Sequence, residues 1–201
     1  MKIGLAQLNT HVGAIETNTD KVLVSARQAR DELGCDLIVY PELTLSGYPP
    51  EDLLLHKGMQ KRVIEALEVV RRDVMGITLC LGYPEYEDKN LFNSGIVLRD
   101  GQVLANHRKW ILPNYAVFDE KRYFEAGTDS TVVELSGIHF ALTICEDAWE
   151  PEPCHAAADA GAEILLVING SPYHMHKQSM RETMLGDRAR EIGLPLVYVN
   201  M

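Results

Sequence analysis

Apolar runs of strand length alternate with helical spacings through the first third of the chain. Residues 2–8, KIGLAQL, form the first such run. Over 18–33, Val22, Leu23, Ala26, Ala29 and Leu33 share one helical face. Asn18 or Thr19 stands where an N-cap is expected and Gly34 where the helix should stop. DLIVY (36–40) reads as a second buried strand. After a Pro-rich loop, Val63, Ile64, Leu67, Val70 and Val74 repeat the helical spacing, and ITLCLGY (77–83) gives a third strand.

The middle of the chain changes character. LFNSGIVLRDGQVLANHRKW holds two extended runs joined by Asp100-Gly101, a strong hairpin signal. TVVELSGIHFALTIC repeats the device at Ser136-Gly137. Alternation then returns: an Ala-rich helix near 153–160 closed by Gly161, the strand EILLVI, a helix over about 176–192, and LVYVN. Parallel βαβ units flanking antiparallel hairpins predict a layered α/β fold rather than a simple doubly wound sheet. No linker or repeat divides the sequence, so 1–201 reads as one domain. LVYVN reads as a buried strand directly before Met201, so the chain reads as cut inside that domain, truncated at the C-terminus.

Charge narrows the choice of function. Nineteen Lys and Arg against twenty-nine Asp and Glu leave a net charge of −10 in 201 residues, without a basic block, which disfavours nucleic acid as a partner. The sequence has neither an apolar run long enough to span a bilayer nor a signal-peptide pattern, so no membrane partner and a cytoplasmic location are expected. Cys35, Cys80, Cys145 and Cys154 form no C-x-x-C pair and no disulfide framework. Cys35, Cys80 and Cys154 are expected to be inert: the first two sit in apolar runs, and Cys154, after two prolines at a helix start, is the control to watch.

Three segments deliver one reactive residue each to the end of a strand: Glu42 in VYPEL, Lys109 in HRKW and Cys145 in LTICEDAW. Ligands collect at such ends in layered α/β folds. Singly, each residue has an ordinary explanation as a turn carboxylate, an edge charge or a core thiol. Together they make a nucleophile, a base for its proton and a cation for an oxyanion. A Cys–His pairing has candidates in His107, His139, His155, His174 and His176, but none sits in a nucleophile-elbow motif. His174 and His176 in YHMHK lack a third ligand pattern, so no metal site is expected.

VYPELTLSGYPPEDLLL, HRKWILPNYAVFDEKRYFEAG and LTICEDAWEP, in this order and spacing, resemble the nitrilase (carbon–nitrogen hydrolase) superfamily. Within it, SGYPPEDLLL, LPNYAVFDE and NGSPYHMHK look like the glutaminase domains of glutamine-dependent NAD synthetases. The resemblance implies a four-layer α-β-β-α sandwich and hydrolysis of the glutamine side-chain amide through a thioester. Glu42 would be the base, Lys109 the third triad member and Cys145 the nucleophile. Tyr48, Tyr115, Phe118, Glu120, Glu146, Ser171 and Lys177 would surround the substrate. Such domains pack across a two-fold, so a homo-oligomer is expected. No metal or organic cofactor is needed for the reaction. The sequence contains no G-x-x-x-x-G-K-[ST], G-x-G-x-x-G or S-G-G-x-D-S loop, so ATP and deamido-NAD would belong to a synthetase domain outside this chain. A free-standing amidase for another small amide, or a scaffold without turnover, are the competing readings.

Overall fold

Strand residues in the apolar runs point to both sides, and both sides are covered. The computed structural model describes residues 1–175 and 177–201. The first sheet contains β1 (Ile3–Leu5), β2 (Leu37–Val39), β3 (Thr78–Glu87), β4 (Asn90–Arg99) and β5 (Gln102–Arg108), in that order. The β1–β2 and β2–β3 pairs are parallel, and β3–β4 and β4–β5 are antiparallel. The second sheet runs β6 (Thr131–Leu135), β7 (Ile138–Ile144), β8 (Ile164–Asn169), β9 (Leu196–Asn200), with one antiparallel pair followed by two parallel ones.

Period-2 geometry sorts the side chains into layers. Leu37 and Val39 point inward with Cys80 and Val97 to meet Phe140, Leu142, Ile144, Leu166 and Ile168 of the second sheet. Ile38 points the other way, with Leu79 and Leu81, onto Val22 and Ala26 of α1 (Ile15–Asp31) and Val63 and Val70 of α2 (Lys57–Asp73). On the far side, Ala141, Leu165 and Val167 meet Cys154 and Ala157 of α3 (Pro151–Asp159) and Leu185 of α4 (Lys177–Ile192). The result is the expected α-β-β-α sandwich. No helix among the described residues is long and apolar enough to cross a membrane.

Four local expectations change. The first strand is shorter than the run 2–8. Helix α1 begins at Ile15, so neither Asn18 nor Thr19 caps it. Asn18 instead lies buried in the first turn and donates to the carbonyls of His11 and Leu45, while Thr19 donates to Ile15. A third hairpin turns at residues 88–89, joining β3 to β4 through a segment too polar to show apolar alternation. In LVYVN Val199 is buried and the rest are half-buried, with β8 as the strand's one partner among the described residues.

Phe140, fully buried between the sheets, tests the packing. Phe140→Ala should lower the unfolding free energy by about 3–5 kcal/mol in urea denaturation, since the opposing sheets can collapse only partly into the space. A loss below about 1 kcal/mol would mean the inter-sheet layer is not closely packed.

Candidate active site

Each of the three strand-end residues follows its strand closely. Glu42 lies in the loop after β2, Lys109 immediately after β5 and Cys145 immediately after β7. The Glu42 loop lies directly on β3, and Gly82 makes that possible. A Cβ at Gly82 would sit 2.5 Å from both the Leu43 nitrogen and the Pro41 carbonyl oxygen. Gly170, after β8, closes in from the second sheet; a Cβ there would meet Tyr48 Cγ at 2.9 Å and Glu42 Oε2 at 3.2 Å.

These approaches assemble a sealed ionic network. Glu42 Oε1 accepts from Lys109 Nζ at 2.8 Å and from Asn93 Nδ2 at 2.7 Å, and Oε2 accepts the Gly170 N–H at 2.8 Å. Lys109 also donates to both oxygens of Glu120, at 2.8 and 2.9 Å, and the Tyr48 hydroxyl donates to Glu120 Oε1 at 3.0 Å. Glu42 and Lys109 are inaccessible to solvent, and Glu120 is almost so. Burial by itself would disfavour the Lys109 ammonium, but the Glu42 and Glu120 carboxylates reverse this and hold it charged well above its usual range. Burial lifts Glu120 to about 7, with Lys109 opposing the rise and Glu42 adding to it. Burial, reinforced by Glu42 and Glu120, also pushes the Tyr48 phenol upward.

Cys145 opens a 3-10 turn, Cys145–Ala148, with φ of 51°. A non-glycine residue in this region stores roughly 1–3 kcal/mol of strain, a familiar property of nucleophiles set on sharp turns. Its thiol lies in electrostatic reach of Glu42, Lys109, Glu120 and Glu146. Burial and then Glu42 raise the thiol well above its ordinary range, against Lys109. The resting sulfur is therefore a thiol that needs a base. Cys80 and Cys154 are pushed up to about 12 by burial. Cys154 is fully buried, with its thiol toward the Asp147 carbonyl, the surroundings of a core thiol.

Cys145 lines a cavity of about 220 Å³ with Tyr115, Phe118, Glu146, Ser171 and Lys177, all anticipated from the motifs, and with Trp149 and Met180, which were not. The Tyr115 hydroxyl donates to Glu146 Oε1 at 2.7 Å. The Lys177 ammonium stands 6.0 Å from the Trp149 ring centroid. Ser171 donates its N–H to Asn200 Oδ1, and its Oγ accepts from Arg181. Tyr48 and Glu120 are placed differently. They line a separate cavity of about 180 Å³, which Phe118 also borders, and the Tyr48 hydroxyl is engaged by Glu120. Asn93, Gly82 and Gly170 were not singled out from sequence; an Asn inside the apolar run LFNSGIVL was the available signal for the first. His174 is exposed, and His176 lies outside the described residues. Among the described residues no group of three or more His, Cys, Asp or Glu side chains is placed to hold a metal ion.

A family model described as carbon-nitrogen hydrolase matches residues 2–201. The chain belongs to the carbon–nitrogen hydrolase family. By that membership it is a hydrolase of amidase type. Among its relatives, the glutamine-dependent NAD(+) synthetase of Xanthomonas campestris pv. campestris is 41% identical over 203 residues, covering all of this chain and 37% of that protein. The Thermotoga maritima synthetase is 38% identical and is covered over 35% of its length. This carbon–nitrogen hydrolase thus spans little more than a third of the curated relatives it matches. Of solved structures, the glutamine-dependent NAD+ synthetase from Acinetobacter baumannii superposes with a TM-score of 0.95 at 40% identity, over 99% of this chain and 38% of that one. A mutant of the amidase from Nesterenkonia sp. AN1 superposes with a TM-score of 0.88 at 28% identity, over all of this chain and 76% of that one. That structure shows covalent addition of the acetamide moiety of fluoroacetamide at the active site cysteine.

Two outcomes test the network of this carbon–nitrogen hydrolase. Glu120 has a folded pKa near 7 against an unfolded value near 4.5, so the folded state holds its proton more tightly between those limits. Its contribution to stability is present below pH 4.5 and is lost as pH rises through 7. Glu120→Gln should flatten that part of the stability–pH curve in denaturant titrations; an unchanged slope would show that Glu120 is not the group responsible. Gly82→Ala must displace backbone, so a loss of about 1–3 kcal/mol is expected in the same assay. Wild-type stability would mean the Glu42 loop is free to retreat.

Proposed function

We propose that this carbon–nitrogen hydrolase releases ammonia from the side-chain amide of glutamine, with Glu42, Lys109 and Cys145 as its reacting groups. The observation that carries the reading is the position of the Cys145 thiol: it lines an open cavity while standing in the field of the buried Glu42–Lys109–Glu120 network. Glu42 Oε1 already has two donors and Oε2 one, so Oε2 has room for the thiol proton. The thiolate attacks the amide carbon, and the C–N bond breaks as Glu42 returns the proton to departing ammonia. Water, deprotonated by Glu42, then hydrolyses the thioester to glutamate.

The oxyanion formed on the way needs donors. Lys109 offers three N–H groups, one to Glu42 and two to the oxygens of Glu120, so it reaches an oxyanion by releasing one Glu120 contact. The Glu146 backbone N–H follows the nucleophile and is the second candidate. One such donor is typically worth about 3–4 kcal/mol in the transition state. At the cavity lining, Glu146 and Lys177 present opposite charges, which suit the α-ammonium and α-carboxylate of glutamine. Tyr115 holds Glu146 in place. This chemistry requires no metal or organic cofactor.

The names of the longer relatives support a destination for the ammonia: ATP-dependent amidation of deamido-NAD by a synthetase domain joined to this one. The Nesterenkonia amidase, covered over three quarters of its length, supports a second reading as an amidase for small uncharged amides. The rim charges favour glutamine.

Ammonia release from glutamine and from acetamide, measured side by side, separates the readings. Glutamine should have the higher kcat/KM, and Lys177→Ala should raise KM for glutamine alone. Equal kcat/KM for the two amides would overturn the glutamine assignment. Glu42→Gln should lower the rate by about 10²–10⁴-fold. A glutamine-like diazoketone should label Cys145 in peptide maps and leave Cys35, Cys80 and Cys154 untouched; label on another cysteine would remove Cys145 from the mechanism.

A further inference from the structure

One buried carboxylate stands between the nucleophile's turn and the lysine's strand without belonging to the ionic network. Asp147 is inaccessible to solvent. Its Oδ2 accepts the Ile144 N–H at 3.0 Å, closing the turn that carries Cys145 from behind. Its Oδ1 accepts the N–H groups of Trp110 at 3.0 Å and Ile111 at 2.8 Å, the two residues that follow Lys109. From the other side of Lys109, His107 on β5 brings its Nε2 to 3.5 Å from Asp147 Oδ2. That nitrogen is buried and has no hydrogen-bond partner, while Nδ1 lies 3.3 Å from the Thr131 hydroxyl.

A buried carboxylate is tolerated only when donors satisfy it. Here the donors come from two chain segments that belong to different sheets. Ile144 ends β7 of the second sheet, and Trp110 and Ile111 leave β5 of the first. Asp147 is therefore the link that fixes the register between the Cys145 turn and the Lys109 strand end. Cys145 needs such a link, since its positive φ persists only where the surroundings impose it.

We propose that Asp147, backed by His107, is a positioning residue that holds the Cys145 sulfur in attack geometry over the Glu42–Lys109 pair. The proposal rests on the reading of Cys145 and Lys109 as reacting groups. Asp147 touches backbone N–H groups rather than substrate, so it acts through the placement of its neighbours. Loss of the clamp should therefore impair bond formation at sulfur and spare binding in the cavity, which Asp147 does not line.

The test is the rate of Cys145 labelling by a glutamine-like diazoketone, resolved into a maximal rate and a half-saturating concentration, and normalised to folded protein by circular dichroism. Asp147→Asn keeps the shape but can no longer accept from all three N–H groups. It should lower the maximal rate by about 30–100-fold, the scale expected for a reacting atom displaced by about 1 Å. The half-saturating concentration should stay within about 2-fold. A wild-type maximal rate per folded molecule, or a loss confined to half-saturation or to the folded fraction, would overturn the proposal. If Asp147→Asn does not fold, the His107 variants decide. His107→Phe should slow labelling several-fold and His107→Gln, which retains a donor, should recover it; wild-type rates for both would overturn the proposal. Cys145→Ala separates this from the parent reading. Labelling and ammonia release that survive in Cys145→Ala would overturn the nucleophile assignment itself, whereas their loss beside wild-type rates in Asp147→Asn would overturn the positioning role alone.

Discussion

A lysine ammonium sealed between two carboxylates is the constraint around which this structure is arranged. Lys109, Glu42 and Glu120 are removed from water together, and each ion so removed costs several kcal/mol unless its partners are placed well. The placement is tight: Nζ is within 2.9 Å of three carboxylate oxygens, and Asn93, Gly170 and Tyr48 supply further donors. Such a cluster stands only if the segments carrying it approach within backbone contact. That explains why glycine occupies positions 82 and 170, where any side chain would collide with the Glu42 loop, its carboxylate or Tyr48.

The same arrangement prepares chemistry. Burial first, and the Glu42 carboxylate second, push Glu120 toward neutrality and raise the Cys145 thiol, in both cases against Lys109. In the reaction proposed above, that thiol is the nucleophile, activated when substrate offers an electrophilic carbon. Cys80 and Cys154 are equally deprived of water, Cys80 in the same inter-sheet layer as Cys145 and Cys154 in the layer under α3. Burial is common to the three thiols; the company of Glu42 and Lys109 belongs to Cys145.

The proposed reacting groups are divided between the two sheets. The first sheet supplies Lys109 and, through Gly82, the bed for Glu42, while the second supplies Cys145 and Gly170. The apolar layer containing Phe140, Leu142, Val39 and Val97 is thus the spacer that sets their separation. Asp147 spans the same gap by hydrogen bonds. Packing in the middle of the sandwich and geometry at its mouth are one problem.

Much of this was present in the sequence by itself. The apolar run DLIVY, the helical face from Val22 to Ala29 and the Asp100-Gly101 and Ser136-Gly137 turns determined the elements, because burial of one face and reversal of the chain are local properties of a few residues. The strand-end positions of Glu42, Lys109 and Cys145 were legible for the same reason, and the motifs around Tyr115, Ser171 and Lys177 pointed to the cavity. Tertiary structure alone decided who meets whom. Asn93 reaches Glu42 across 51 positions and Gly170 across 128, and no local periodicity encodes a partner so distant. It also placed Tyr48 and Glu120 outside the cavity on which Cys145 opens, buried Cys154, and moved Asn18 from a helix cap to a loop tie. Sequence pattern specifies which faces must leave water; the pairing of the few polar groups carried inside depends on how the two sheets come to rest against each other.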